Sequence, residues 1–166
     1  MTFAAINLLF PLVLAIHNLD EYFHHDDFIR AYYSRLSPKL TSRRVVRHAL
    51  VLLTLSIVLL DGLTYVYKDG LLVTVSKISI FALMFNGIGH CVLSLRRRTM
   101  LPGTLSAVTL VIPYAVFATV IMRTKLGDAY RSLLQLAVWG AITVPLATML
   151  FLWIGYGIHR LETRNQ

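Results

Sequence analysis

Of 166 residues, 57% are hydrophobic and 14% charged, and the mean hydropathy is +0.67. That balance excludes a soluble globular domain and a disordered chain, and it leaves a single-domain (1–166) integral membrane protein. The net charge of +8 does not point to nucleic acid, because the cations lie between apolar runs without aromatic–basic alternation. There they report topology and contact with membrane lipids.

The first apolar segment, 2–19, has no basic n-region and no small-x-small site before its acids, so it is expected to be a retained span rather than a cleaved signal. Pro11 within it lacks an N–H and should loosen the helix locally. The next stretch, "FIRAYYSRL", mixes aromatics and cations. It is too polar to span and is expected to extend the first helix or lie along the interface until Ser37-Pro38 ends it.

Further spans are expected at 48–67, 71–95, 104–122 and 132–157. "YKDG" should turn the second and third into an antiparallel hairpin, and "LPGT" should stop one helix and start the next. Pro113 and Pro145 should bend the last two spans. Asp61 and Lys77 lie equally far from the "YKDG" turn on opposite arms, so an ion pair between them is expected. The fold class is therefore all-α: a polytopic bundle of about five transmembrane helices plus an interfacial helical segment. The lone cysteine, Cys91, cannot form an internal disulfide and reads as a packing residue.

Orientation follows from the cations. With five spans, eleven Lys and Arg fall on one side (Arg30 to Arg47, Arg96 to Arg98, Arg160, Arg164) and four on the other (Lys68, Arg123, Lys125, Arg131). The positive-inside rule then places the N-terminus outside and the C-terminus in the cytoplasm of the cytoplasmic (inner) membrane. In that topology all six histidines gather toward the cytoplasmic side.

The chemistry concentrates in "HNLDEYFHH". On a helix, His17, Asp20, Glu21 and His24 share one face at i, i+3, i+4 and i+7, a spacing by which inward-facing side chains converge on an ion. In the third span, "NGIGH" sets Asn86 and His90 on one face at matching depth, with Gly87 and Gly89 leaving room for close approach. Two imidazoles and a carboxylate from two helices suit zinc, with iron as the other option. The expected metal ligands are His17, Glu21, His90 and, as a fourth, His24. Asp20, Glu21 and Asn86 are the candidate catalytic or substrate-orienting groups. His48 and His159, each beside an arginine, read as solvated helix ends.

"HNLDE" at His17 to Glu21 resembles the motif of the HXXEE family of small bacterial and archaeal membrane proteins, with Asp20 in place of the first Glu. "NGIGHCVLSLRRRTMLPGTLSAVTLVIP" resembles that family's second block. The resemblance implies a membrane-embedded protein with a polar site at His17, Asp20, Glu21, Asn86, His90, Pro102 and Gly103; it implies no particular reaction. The Asp-for-Glu change shortens one carboxylate by a methylene and leaves Glu21 intact.

Function is read from the site. The leading expectation is a membrane-embedded metal-dependent hydrolase of a lipid-like or membrane-proximal peptide substrate, with Asp20 or Glu21 as general base. A metal-free acid/base isomerase or cyclase is the second reading, and a non-catalytic lipid- or metal-binding protein or transporter subunit the third. Expected partners are membrane lipids, an amphiphilic substrate and, in a possible homodimer, a second copy. No nucleotide loop, His-Glu-x-x-His zinc motif or nucleophile elbow occurs.

Overall fold

The structure, a computed structural model, describes residues 3–164. Among them every regular element is helical: α1 (Phe3–Phe23), α2 (His25–Tyr32), α3 (Arg43–Tyr67), α4 (Gly70–Arg97), α5 (Thr104–Thr124) and α6 (Tyr130–Arg164). Four of these, α3 to α6, are long and apolar enough to cross a membrane. Leu55, Leu59, Val66, Leu134, Leu146, Leu150 and Trp153 stand more than half exposed along them. Apolar side chains displayed in such number need lipid around them. The chain is an all-helical, polytopic membrane protein.

Against the expected five spans this count is one lower. The segment expected as the first span is a helix of 21 residues that runs through Pro11, but it is not among the four. Its inner face is polar, with Asn7, His17, Asn18 and Glu21 all buried, while Leu8, Leu12, Leu19 and Phe23 stand exposed on its outer face.

Local chemistry sets the joints. His24 breaks α1 from α2 with φ −106° and ψ 34°. Lys68 takes the left-handed conformation (φ 49°) after α3, and Asp69 caps α4 by accepting from Leu71 N–H at 2.8 Å and Leu72 N–H at 3.3 Å. This is the expected hairpin. Helix ends run past the apolar runs, since α3 starts at Arg43 and α6 ends at Arg164. Charged residues continue a helix as readily as leucine does, so hydropathy alone underestimates its length. In α5 the turn Ala107–Val111 is π-helical. Pro113, which cannot donate to the carbonyl four residues back, follows two residues after Val111, and the widened turn absorbs that mismatch.

The helices close into a core of α1, α4 and α5 around Ile6, Phe10, Ile80, Val111 and Met122. A second cluster of Phe28, Val45, Val46, Ala49 and Leu152 seats α2 on α3 and α6. Close crossing is possible because α6 is small where it meets its neighbours. A Cβ on Gly140 would lie 2.6 Å from Phe81 Cβ, and one on Gly155 would lie 2.6 Å from the Val45 carbonyl.

The expected Asp61–Lys77 pair is not formed. Lys77 Nζ reaches Asp128 Oδ2 at 2.6 Å, and Asp61 Oδ1 accepts from Ser76 Oγ at 3.1 Å. Equal depth on two arms does not set facing, and the loop before α6 supplies a carboxylate within easier reach.

Candidate metal centre

His17 and Glu21 lie one turn apart on α1, and His90 comes from α4. All three are buried, at 0%, 4% and 2% exposure. One ligand atom from each lies within 4.8 Å of the others. Glu21 Oε1 is 3.4 Å from His17 Nε2 and 3.0 Å from His90 Nε2. The two imidazole rings stand nearly perpendicular at 88°, with centroids 5.0 Å apart.

The outer side of each ring fixes its proton. His90 Nδ1 lies 2.9 Å from the Pro102 carbonyl and 2.7 Å from Tyr32 Oη, while the Tyr32 hydroxyl donates to that same carbonyl at 3.2 Å. A carbonyl only accepts, so His90 Nδ1 carries a hydrogen, and Nε2 is the nitrogen left facing Glu21 Oε1. His17 Nδ1 lies 2.9 Å from Ser106 Oγ. The one Ser106 proton goes to an oxygen that can only accept, Asp20 Oδ2 at 2.9 Å or the Gly103 carbonyl at 3.1 Å. Ser106 therefore receives from His17 Nδ1–H, and His17 Nε2 also faces inward. Asn86 Nδ2 sits 2.9 Å from His17 Nε2 and 3.4 Å from His90 Nε2, the position of a donor to two acceptors.

Two imidazole nitrogens and a carboxylate oxygen thus face one another in a buried space. Among the described residues, Glu21 pairs only with these two imidazoles and with no lysine or arginine. Burying a carboxylate without compensation costs several kcal/mol on the order-of-magnitude scale for buried ions. The centre therefore calls for a positive charge beside Glu21, supplied either by a cation between the three atoms or by a proton on one of the imidazoles. A His₂Glu set with orienting hydrogen bonds behind each imidazole is a donor set that zinc accepts.

The loop 98–103 is shaped by this centre. Gly103 has φ 81°, and a Cβ there would fall 2.5 Å from His90 Cε1. Only glycine allows both that backbone conformation and the packed imidazole. Gly103 N–H also donates to Asp20 Oδ2 at 3.2 Å. The "LPGT" stretch is hence part of the site as well as a helix restart. Beyond it, burial pushes the Tyr32 phenol well above its usual pKa, so Tyr32 stays a neutral hydroxyl behind His90.

The sequence-predicted residues separate into groups. The structure brings His17, Glu21, His90 and Asn86 together. Asp20 lies behind His17, engaged by Ser106 and Gly103 rather than aimed at the centre. His24, expected as a fourth ligand, is not with them. The helix breaks at that residue, its side chain is 59% exposed, and its Nδ1 turns back to the Asp20 carbonyl at 2.9 Å. The i+7 spacing holds only on an unbroken helix. His48 and His159 form a separate, partly exposed group around Glu162.

Sequence reasoning missed Ser106 and Tyr32. Ser106 had a signal, being a hydroxyl three residues past Gly103 at the mouth of a span. Tyr32 had a weaker one, at i+4 from Phe28 on the buried face of α2.

Two cavities open on the centre. A cavity of about 330 Å³ runs between α1, α3, α4 and α6 and reaches Glu21 and Asn86. A smaller one of about 160 Å³ lies against Tyr32, Gly89, His90 and again Asn86.

Comparison with known proteins gives one family. The family described as "protein of unknown function with HXXEE motif" matches residues 8–118, a stretch that contains every residue of the centre. No curated protein and no solved structure matches the chain. With two thirds of its length matched and the His17-to-Glu21 motif at the heart of a buried cluster, the chain belongs to the HXXEE family.

Proposed function

We propose that this protein is a membrane-embedded metal-dependent hydrolase that holds zinc at His17, Glu21 and His90 and acts on a lipid-like substrate at the cytoplasmic face. The observation that carries this reading is the inward convergence of the His17 and His90 Nε2 atoms and the Glu21 carboxylate, each imidazole hydrogen-bonded from behind through Nδ1. A bound divalent ion would supply an activated water and polarise a carbonyl or phosphoryl oxygen.

The chain's own residues do the rest. Asp20, through Ser106, keeps His17 Nδ1 protonated and its ring fixed. Tyr32 and the Pro102 carbonyl do the same for His90. Asn86 lines both cavities, and its amide can hold a substrate oxygen beside the donor set. The apolar lining of the larger cavity favours a lipid-like substrate over a peptide, whose backbone would need polar partners along its length. The excess of cations at the histidine-bearing end supports a cytoplasmic site in the inner membrane.

The test is elemental mass spectrometry of detergent-purified protein beside His17→Ala and His90→Ala. Near-stoichiometric zinc in the wild type, lost in both variants while helical content is retained, is the expected outcome. A well-folded, never-chelated preparation without metal would overturn the reading.

A further inference from the structure

The larger cavity has a direction. Its lining includes Glu21, Asn86 and Asn18 at one end, and it runs to Phe10, Leu60 and Val75 at the other. From Phe10 to Glu21 on α1, and from Val75 to Asn86 on α4, is 11 residues in each case, or about 17 Å at the helical rise. Two helices on different sides of the cavity thus give the same distance between the metal centre and the far end. That is close to half of the ~30 Å hydrocarbon core, the length of one membrane acyl chain.

The far end is backed on the α1 and α3 side by polar groups behind its lining. One turn or less past Phe10 and Leu60 come Asn7 and Asp61, and Ser76 meets them from beside Val75, all three buried. Ser76 Oγ ties them, 3.3 Å from Asn7 Oδ1 and 3.1 Å from Asp61 Oδ1. A hydrocarbon tail gains nothing by pushing into such a cluster. The cavity also has a side entrance. Ser56 of α3, short of the far end, lines it and is exposed on the surface of the bundle as well, where the bilayer lies.

We propose that this cavity binds one straight hydrocarbon tail of a membrane amphiphile. The tail enters sideways from the bilayer between α3 and α4, with the reacting group at Glu21 and Asn86, and the Asn7–Ser76–Asp61 tie limits its length. The substrate class is accordingly a single-tailed acyl amphiphile, or one tail of a lipid, cleaved at the junction of tail and head. The inference rests on the hydrolase reading for the reaction, while the binding of the tail depends only on the cavity.

The experiment measures binding without turnover. Full-length protein in a steroid-based detergent, which has no flexible tail of its own, is loaded with a fluorescent straight-chain alcohol. Octanol, dodecanol, hexadecanol and eicosanol then compete for the site. Displacement should strengthen with length up to a tail that fills the cavity, then weaken about tenfold for the longest chain, the penalty of overpacking a closed space.

Leu53→Trp, midway along the cavity, should shift the optimum to a shorter alcohol. Leu60→Trp, at its end, should shift it less. Leu59→Trp, on the lipid-facing side at 63% exposure, should leave it unchanged. Equal displacement by all four alcohols, or the same optimum in the Leu53 and Leu59 variants, would overturn the proposal. The two readings fail separately. A length optimum in protein without metal sinks the hydrolase and keeps the cavity assignment, whereas bound zinc without a length optimum does the reverse.

Discussion

At one end of the bundle His17, Glu21 and His90 meet; about 21 Å away along α4, by helical rise, Asn7, Asp61 and Ser76 meet. Both clusters are buried, and each is held between α1 and α4. They differ in what stands behind them. Each imidazole of the first is oriented from outside, by Ser106 with Asp20 or by Tyr32 with Pro102. In the second, a single hydroxyl proton serves two acceptors, and Asp61 Oδ2 has no hydrogen-bond partner among the described residues. A centre that must hold a charge in a fixed place needs backing partners; a polar tie between helices does not.

The largest effect should separate the two directly. Glu21→Gln keeps the shape and removes the charge that the donor set offers, so metal content should fall from near one per chain to background. Asp61→Asn, an equally conservative change in the other cluster, should leave metal content untouched. Elemental analysis of both variants at matched circular dichroism reads the contrast. Equal losses would mean that the two clusters form one cooperative unit.

Next in size is Gly103→Ala. A methyl at that position meets the His90 ring at 2.5 Å on a backbone with φ 81°. The strained conformation alone should cost about 1–3 kcal/mol, read as a lower thermal midpoint. Metal affinity should fall with it because the His90 ring must shift. A midpoint equal to the wild type would show that the loop moves freely and does not position His90.

Smaller again is the loss of one backing partner. Ser106→Ala removes the acceptor for His17 Nδ1–H and should weaken metal binding about 10- to 100-fold, measured by chelator competition, with the fold intact. Tyr32→Phe should do less, since the Pro102 carbonyl still accepts from His90 Nδ1 at 2.9 Å. If Tyr32→Phe proved the more damaging, the hydroxyl would have a part in the reaction itself.

Much of this centre was legible in the chain. The i, i+4 spacing of His17 and Glu21, and of Asn86 and His90, fixes which side chains share a helical face, and helical periodicity carries that over one turn. What it cannot carry is an interruption. His24 lies beyond the point where α1 breaks, so its face is lost. The Asp61–Lys77 expectation failed for a related reason, because depth was readable and azimuth was not. Spans were legible from apolar runs, while the polar buried face of α1 and the charged ends of α3 and α6 lie outside what hydropathy measures. Ser106 and Tyr32 act across chain separations of 89 and 58 residues, and their local signals did not name the partner at the other end.

The smallest expected effect is the stability change of Asp61→Asn. The carboxylate is 6% exposed, and only one of its oxygens is hydrogen-bonded. Its ionised form is costly among apolar helices. The amide keeps the oxygen that Ser76 contacts and replaces the unpartnered oxygen with a neutral NH₂. It loses no ion pair, since Lys77 is bonded to Asp128. The change should therefore lie within about 0.5 kcal/mol of neutral, the range of substitutions that disturb no partnered network, and any departure should be toward greater stability. Thermal midpoints measured with and without sodium would sharpen this. If Asp61→Asn destabilised the protein by several degrees only when sodium is present, the second cluster would be a cation site in its own right, and the contrast between the two ends of the bundle would give way to a pair of ion-binding centres.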